Sequence, residues 1–244
     1  MDSGSDLGWV PCLDPSKPTF FYCIGCEKYH KRIDTFYPWR SRSCNLESCN
    51  SSFCLDIHTS EDPYDTCLMA GCSLRAFHEG TCSMSCPPFS YRYGDGIVTA
   101  QTMRERIVVN ARSPTEKICN FGFYCAVATL NEPIGIAGFG RGALSFPSQL
   151  GSALSYRAFC YCLISYHYEI YNSSNVSSPL VLGASTVPTL DDGLIQRTPM
   201  LCNRMYPNYY YIGLQGISID NNYLEVPLNL QEIDSAGNST CSQL

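Results

Sequence analysis

The sequence predicts a mostly β protein. Three observations carry that reading: short apolar stretches that alternate with period two, turn-forming Gly, Pro, Asn and Asp between them, and a thin helical signal. Residues 89–93 (FSYRY) alternate and run into Gly94-Asp95-Gly96, a hairpin-type turn. Residues 106–109 (RIVV) and 121–128 (FGFYCAVA) read as further strands, and 179–183 (PLVLG) as a short buried one. Residues 209–219 alternate strongly and meet a turn at Asp220-Asn221-Asn222. The best helix candidate is 144–154, opened by Ser145-Phe146-Pro147. Residues 186–204, with Pro188, Pro199 and Asp191-Asp192-Gly193, read as a connection. From Cys12 to about Pro88 the pattern breaks down into Cys, Ser, Pro and Asp, which predicts loops stapled by disulfides.

Size and composition bound the function. A chain of 244 residues holds one large domain or two small ones, either with a substantial core. An apolar fraction of 45% and a charged fraction of 16% are globular values. The net charge is −6 and no Lys/Arg block occurs, which speaks against nucleic-acid binding. No apolar run has the length of a membrane span.

The cysteines are more informative. There are 16, ten of them from Cys12 to Cys86. Cys23-Ile24-Gly25-Cys26 has zinc-ligand spacing, but no second C-x-x-C answers it, and His30, His58, His78 and His167 form no H-x-x-x-H pair. Sequons at Asn50, Asn172, Asn175 and Asn238 lean toward an oxidising, secretory route and glycosylation. Disulfides are therefore favoured over metal. Yet Met1-Asp2-Ser3-Gly4-Ser5-Asp6 is no signal peptide, and cysteines without a signal predict a truncated chain.

Several catalytic motifs are missing: no G-x-S-x-G elbow and no H-E-x-x-H helix occur. The glycine cluster at 135–142 (GIAGFGRG) lacks the Lys-Ser/Thr ending of a phosphate loop and reads as a place where backbone passes close to backbone. Asp2-Ser3-Gly4-Ser5 is more telling. Two carboxylates held close together share a proton, so that one activates a water as base while the other acts as acid. Such an Asp needs a tight turn, a small neighbour such as Gly4, and orienting hydroxyls such as those of Ser3 and Ser5. By composition alone, D-S-G-S is an ordinary turn.

Other segments fall into place around it: Leu7, Trp9, Val10 and Pro11, then the aromatic hairpin at 91–96, then 134–150. In this order and spacing the chain resembles the pepsin-like aspartic proteases, and among them the cysteine-rich plant branch that includes the nepenthesins. The similarity continues through 159–163 (FCYCL), 178–183 and 210–217 (YYIGLQGI) and so spans nearly the whole chain.

The resemblance implies a two-lobed acid-protease fold. On this pattern residues 1–185 are the N-terminal lobe, with a Cys-rich insertion at 12–86 and a flap at 89–100. Residues 186–208 are the inter-lobe connection and 209–244 begin the C-terminal lobe. Asp2 matches the first catalytic aspartate, with Ser3 where most members have Thr. Ser3, Gly4, Ser5 and Gly138 match the catalytic-loop supports, Gly138 within the apolar-apolar-glycine strand 136–138. Tyr93 and Gly94 match the flap that closes over substrate, and Trp9 a tryptophan that supports the flap tyrosine. Ile97 and Ala100 depart from a common Ser and Gly. The second catalytic aspartate is the difficulty. Asp234 lies in D-S-A-G, where Ala236 puts a methyl in place of the glycine, and it reads better as a surface turn.

The expected function is therefore aspartic-type endopeptidase activity at acidic pH, in a form longer than this chain. No metal or cofactor is implied, the substrate is a protein or peptide, and the expected location is extracellular or vacuolar. Two alternatives use the same scaffold. One is a non-catalytic xylanase-inhibitor-like binding protein. The other is a short inactive product whose exposed lobe interface is covered by a partner.

Overall fold

The computed structural model describes residues 1–13, 21–27, 35–94, 96–109, 116–132, 134–151, 157–163, 178–183, 196–227 and 231–233. The chain forms two compact units. The first contains residues 1–2 and 7–138, and the second residues 3–6 and 139–244.

The first unit is built on a six-stranded sheet: β1 (Trp9–Pro11), β2 (Tyr22–Ile24), β3 (Asn45–Leu46), β4 (Phe89–Arg92), β5 (Ile97–Val109) and β6 (Glu116–Leu130). β6 is its spine. β1 and β2 lie parallel to it, while β5 runs antiparallel on its other side and carries β3 and β4. The two longest strands extend the alternating stretches seen in the sequence. The register of this pair shifts at Thr99/Ala100 and Glu105/Ile107, the positions at which a bulged pair bends. Trp9, Val98, Ala100, Tyr124 and Ala126 are fully buried between the strands. Phe53 stacks on Tyr124 at 5.6 Å, and Phe89 meets the same ring edge-on at 4.9 Å. Arg104 pairs with buried Glu47, donates to the Asn120 carbonyl at 2.9 Å, and lies 4.4 Å over the Phe53 ring.

The Cys-rich insertion departs from the loop expectation. Among its described residues are three short α-helices, α1 (Ser52–His58), α2 (Pro63–Met69) and α3 (Leu74–His78), besides a 3-10 turn at Pro38–Arg40. Each α-helix has a start signal that the periodicity could not show. Ser51 Oγ accepts from the Cys54 amide at 3.1 Å, Asp62 Oδ1 from Tyr64 at 2.8 Å, and Ser73 Oγ from Ala76 at 3.2 Å. Helices of one to two turns bury too few side chains to print a 3.6-residue stripe, and they persist because the fold around them is cross-linked. Disulfides Cys49–Cys67, Cys54–Cys86 and Cys72–Cys82 tie them together, while Cys12–Cys125 fastens the end of β1 to β6 and Cys23–Cys26 closes the turn after β2. The sulfur clusters Cys49/Cys67/Cys82 and Cys54/His58/Cys86 have metal-like spacing, but every cysteine in them is committed to a disulfide.

Among the described residues, Cys44, Cys119, Cys160, Cys162 and Cys202 are in no disulfide. Cys44 lies against Glu105. Burial, the nearby Glu105 charge and a hydrogen bond to it push the Cys44 thiol up to about 11. Burial alone would raise the Glu105 carboxyl too, but hydrogen bonds from Ser41, Ser43 and the Arg106 amide bring it below the usual range. At pH 8 the thiolate at Cys44 is thus about a hundredfold scarcer than at an ordinary cysteine. Iodoacetamide is expected to label Cys44 at least that much more slowly in the folded chain than in guanidinium. Equal rates, read by mass spectrometry of the Cys44 peptide, would refute the assignment.

The second unit holds α4 (Phe146–Leu150), the pair β7 (Phe159–Cys160) and β8 (Val181–Leu182), and the hairpin of β9 (Gly216–Ile219) and β10 (Asn222–Glu225). The helix expected at 144–154 is a single turn and a half, capped by buried Ser145, with Pro147 in its first turn; residues 152–154 lie outside the described residues. The alternating stretch 209–219 is a strand only from Gly216. Before it, Tyr211 is buried and bridges Leu201. Asp220 and Asn221, with φ of 46° and 64°, make the hairpin turn that the sequence predicted. Phe139 packs against Phe146 at 5.4 Å and Phe159 at 5.0 Å.

Candidate active site

Asp2 is half-buried and belongs to the first unit. Its amide donates to the Ala137 carbonyl at 2.9 Å, and its backbone bridges Gly138 in parallel. The same segment also runs beside β1: Trp9 donates to Ile136 at 2.8 Å and accepts back at 3.0 Å. One strand segment, 136–138, is therefore bonded both to Asp2 and to buried Trp9. Its approach is close because of Gly135, where a Cβ would overlap the Trp9 carbonyl. This is the backbone-on-backbone passage that the glycine cluster predicts.

The hairpin at 89–100 is formed by β4 and β5. Tyr93 is half-buried, donates its amide to Gly96 at 2.8 Å, and meets the Tyr91 ring at 4.9 Å. Gly94 is exposed at the tip, with no atom within 4 Å of an added Cβ. At Gly96 such a Cβ would lie 2.7 Å from the Leu130 carbonyl, so this turn position requires glycine. Ile97 is exposed, whereas the Ala100 methyl is fully buried opposite Phe89 and Ala126.

In the second unit, Ser5 is buried and its carbonyl accepts from the Gly140 amide at 2.9 Å. Asp6, which no sequence motif singles out, lies next to Ser5. Its Oδ1 accepts from the Gly142 amide at 2.8 Å. Burial raises the Asp6 carboxyl above the usual carboxylate range, and the Gly142 hydrogen bond offsets part of that. The available signal was the Gly140-x-Gly142 pattern, since a Cβ at either glycine would overlap the Asp6 carboxylate.

Among the sequons, Asn50 is exposed just before the cap of α1, where its Oδ1 accepts from Ser48 Oγ at 2.7 Å. Asn172, Asn175 and Asn238, like Asp95 and Asp234, lie outside the described residues.

An aspartate in a Ser-Gly-Ser turn, backed by an apolar-apolar-glycine strand and accompanied by a tyrosine-bearing hairpin, defines the pepsin-like class of aspartic-protease folds. The chain belongs to the xylanase inhibitor N-terminal family (TAXi_N), which it matches over residues 1–184. It is 37% identical to a probable aspartyl protease of Arabidopsis thaliana, over 97% of this chain and 50% of that protein. It is 30% identical to the aspartic proteinase nepenthesin-2 of Nepenthes gracilis, over 97% of this chain and 45% of that one. The chain thus spans about half the length of the curated relatives it matches. Among solved structures, soybean basic 7S globulin superposes with a TM-score of 0.51 over 90% of this chain and 52% of that one; at 16% identity it shares the fold.

Proposed function

We propose that this chain carries the first catalytic aspartate, Asp2, of an aspartic-type endopeptidase that cleaves protein or peptide substrates at acidic pH. The observation that supports it most is the anchoring of Asp2 on Ala137 and Gly138, with Ser3, Gly4 and Ser5 following it. In this reading Asp2 shares a proton with a second aspartate, and the pair activates a water that attacks the scissile carbonyl. Tyr93 and Gly94 form the flap over the substrate, and Trp9 backs the flap. The second aspartate belongs to a C-terminal lobe that begins near residue 209, after an N-terminal lobe at 1–185 and a connection at 186–208. The five disulfides among the described residues and the exposed sequon at Asn50 support a secreted or vacuolar glycoprotein. No helix among the described residues is long and apolar enough to cross a membrane.

The test uses the full transcript product, sequenced outward from both ends and expressed in oxidising conditions. Asp2→Ala is expected to lower acid proteolysis by about a thousandfold, a loss typical of removing a general acid or base. Proteolysis that survives Asp2→Ala would overturn the reading. A second reading, a xylanase-inhibitor-like binding protein, is favoured by the family match itself and by Ala236 in the D-S-A-G segment. Tight binding of a xylanase with no proteolysis by the wild-type product would establish it instead.

A further inference from the structure

We propose that Asp6 is a positioning residue, whose carboxylate clamps the Gly140-Arg141-Gly142 turn onto the Ser3–Ser5 turn that follows Asp2. The proposal rests on the aspartic-protease reading for its purpose, though not for its geometry. Two bonds join the turns directly: Gly140 donates to the Ser5 carbonyl at 2.9 Å, and Gly142 donates to Asp6 Oδ1 at 2.8 Å. The far side of the 140–142 turn is held as well. Arg141 donates its amide to the Asn208 carbonyl at 2.9 Å, and Tyr210 donates its hydroxyl to the Phe139 carbonyl at 2.9 Å.

The glycines show that the carboxylate is a built part of this contact. A Cβ on Gly140 would overlap Asp6 Oδ1 and lie 3.0 Å from the Ser5 carbonyl oxygen, and a Cβ on Gly142 would overlap Asp6 Oδ2. Both positions lack a side chain where the carboxylate sits. The local charges are consistent with this seat. Burial raises the Tyr210 hydroxyl, Arg141 partly offsets that, and Asp6 adds to it. A half-buried carboxylate accepting a backbone N–H makes a stronger bond than a neutral acceptor and fixes its direction. With the Ser5 carbonyl bonded to the Gly140 amide beside it, Asp6 restricts the small turn formed by Ser3, Gly4 and Ser5.

The test is residue-resolved amide hydrogen exchange on the whole chain at fixed pH. Asp6→Ala is expected to speed exchange about tenfold or more at Gly142 and at the Ser3–Ser5 amides, as the loss of one charged hydrogen bond implies, with β5 and β6 unchanged. Asp6→Asn keeps an acceptor oxygen and is expected to stay within about threefold of wild type. A general loss of packing would not be rescued in this way. If Asp6→Ala does not fold, Gly142→Ala displaces the carboxylate without removing it and is expected to speed exchange at the same amides. The proposal is overturned if the Ser3–Ser5 amides keep wild-type rates in the variants that fold, or if Asp6→Asn behaves as Asp6→Ala does. No cleavage is read in this experiment, so its failure is distinct from that of the protease reading, which Asp2→Ala tests alone.

Discussion

Removing the Cys12–Cys125 disulfide with the pair Cys12→Ala and Cys125→Ala is expected to lower the stability of the first unit by about 3–4 kcal/mol. The bond closes a loop with a sequence separation of 113 residues, far longer than the 32 residues of Cys54–Cys86, the next longest among the described disulfides. In the unfolded chain, loops near this length cost about 4.7 kcal/mol of entropy when closed. The three cross-links between Cys49 and Cys86 already shorten the free path inside the loop, which reduces the figure. The native side adds to it, because both sulfurs are buried. β1 has three residues, in register with Tyr124, Cys125 and Ala126, and a parallel ladder that short has few bonds of its own. Guanidinium unfolding with a common m-value would read the change in midpoint. A loss under about 1 kcal/mol would mean that β1 is held by packing around Trp9 rather than by the bond.

Gly135→Ala is expected to cost about 3 kcal/mol, at the upper end for overpacking, because the obstacle is main chain. The new methyl would overlap the Trp9 carbonyl oxygen and lie 3.1 Å from Val10 Cα, and neither can rotate away. The bonds at risk are the reciprocal pair between Trp9 and Ile136. Gly8→Ala is the matched control. Its Cβ would meet nothing nearer than the Ile136 carbonyl at 3.9 Å, an ordinary contact, so a change within about 0.5 kcal/mol is expected. Equal midpoints for the two variants in thermal or denaturant unfolding would show that the 135–138 segment yields more easily than this contact implies.

Much of the candidate site was legible as sequence because its demands are local. A tight aspartate turn needs small and hydroxylated neighbours, and Asp2-Ser3-Gly4-Ser5 has them. A hairpin tip needs glycine, and Gly96 is buried where any side chain would strike Leu130. The crowded glycines at 135–142 signalled close backbone approach before any partner was known. The insertion was harder to read. Its helices are five to seven residues long, too short for periodicity, and their caps at Ser51, Asp62 and Ser73 look like ordinary loop residues. Asp6 was missed for a related reason: a lone acid after a turn has no local signature, and its partner at Gly142 is 136 residues away.

The amino-acid sequence by itself determined the β character, the disulfide chemistry, the aspartate turn and the tyrosine hairpin, since each follows from the spacing of neighbouring residues. Only the tertiary structure decided which cysteines pair, that segment 136–138 serves both Asp2 and Trp9, and that Asp6 answers the glycines of the 140–142 turn. These are contacts between groups far apart in the chain. Their energies depend on distance and burial after folding, which sequence spacing does not contain.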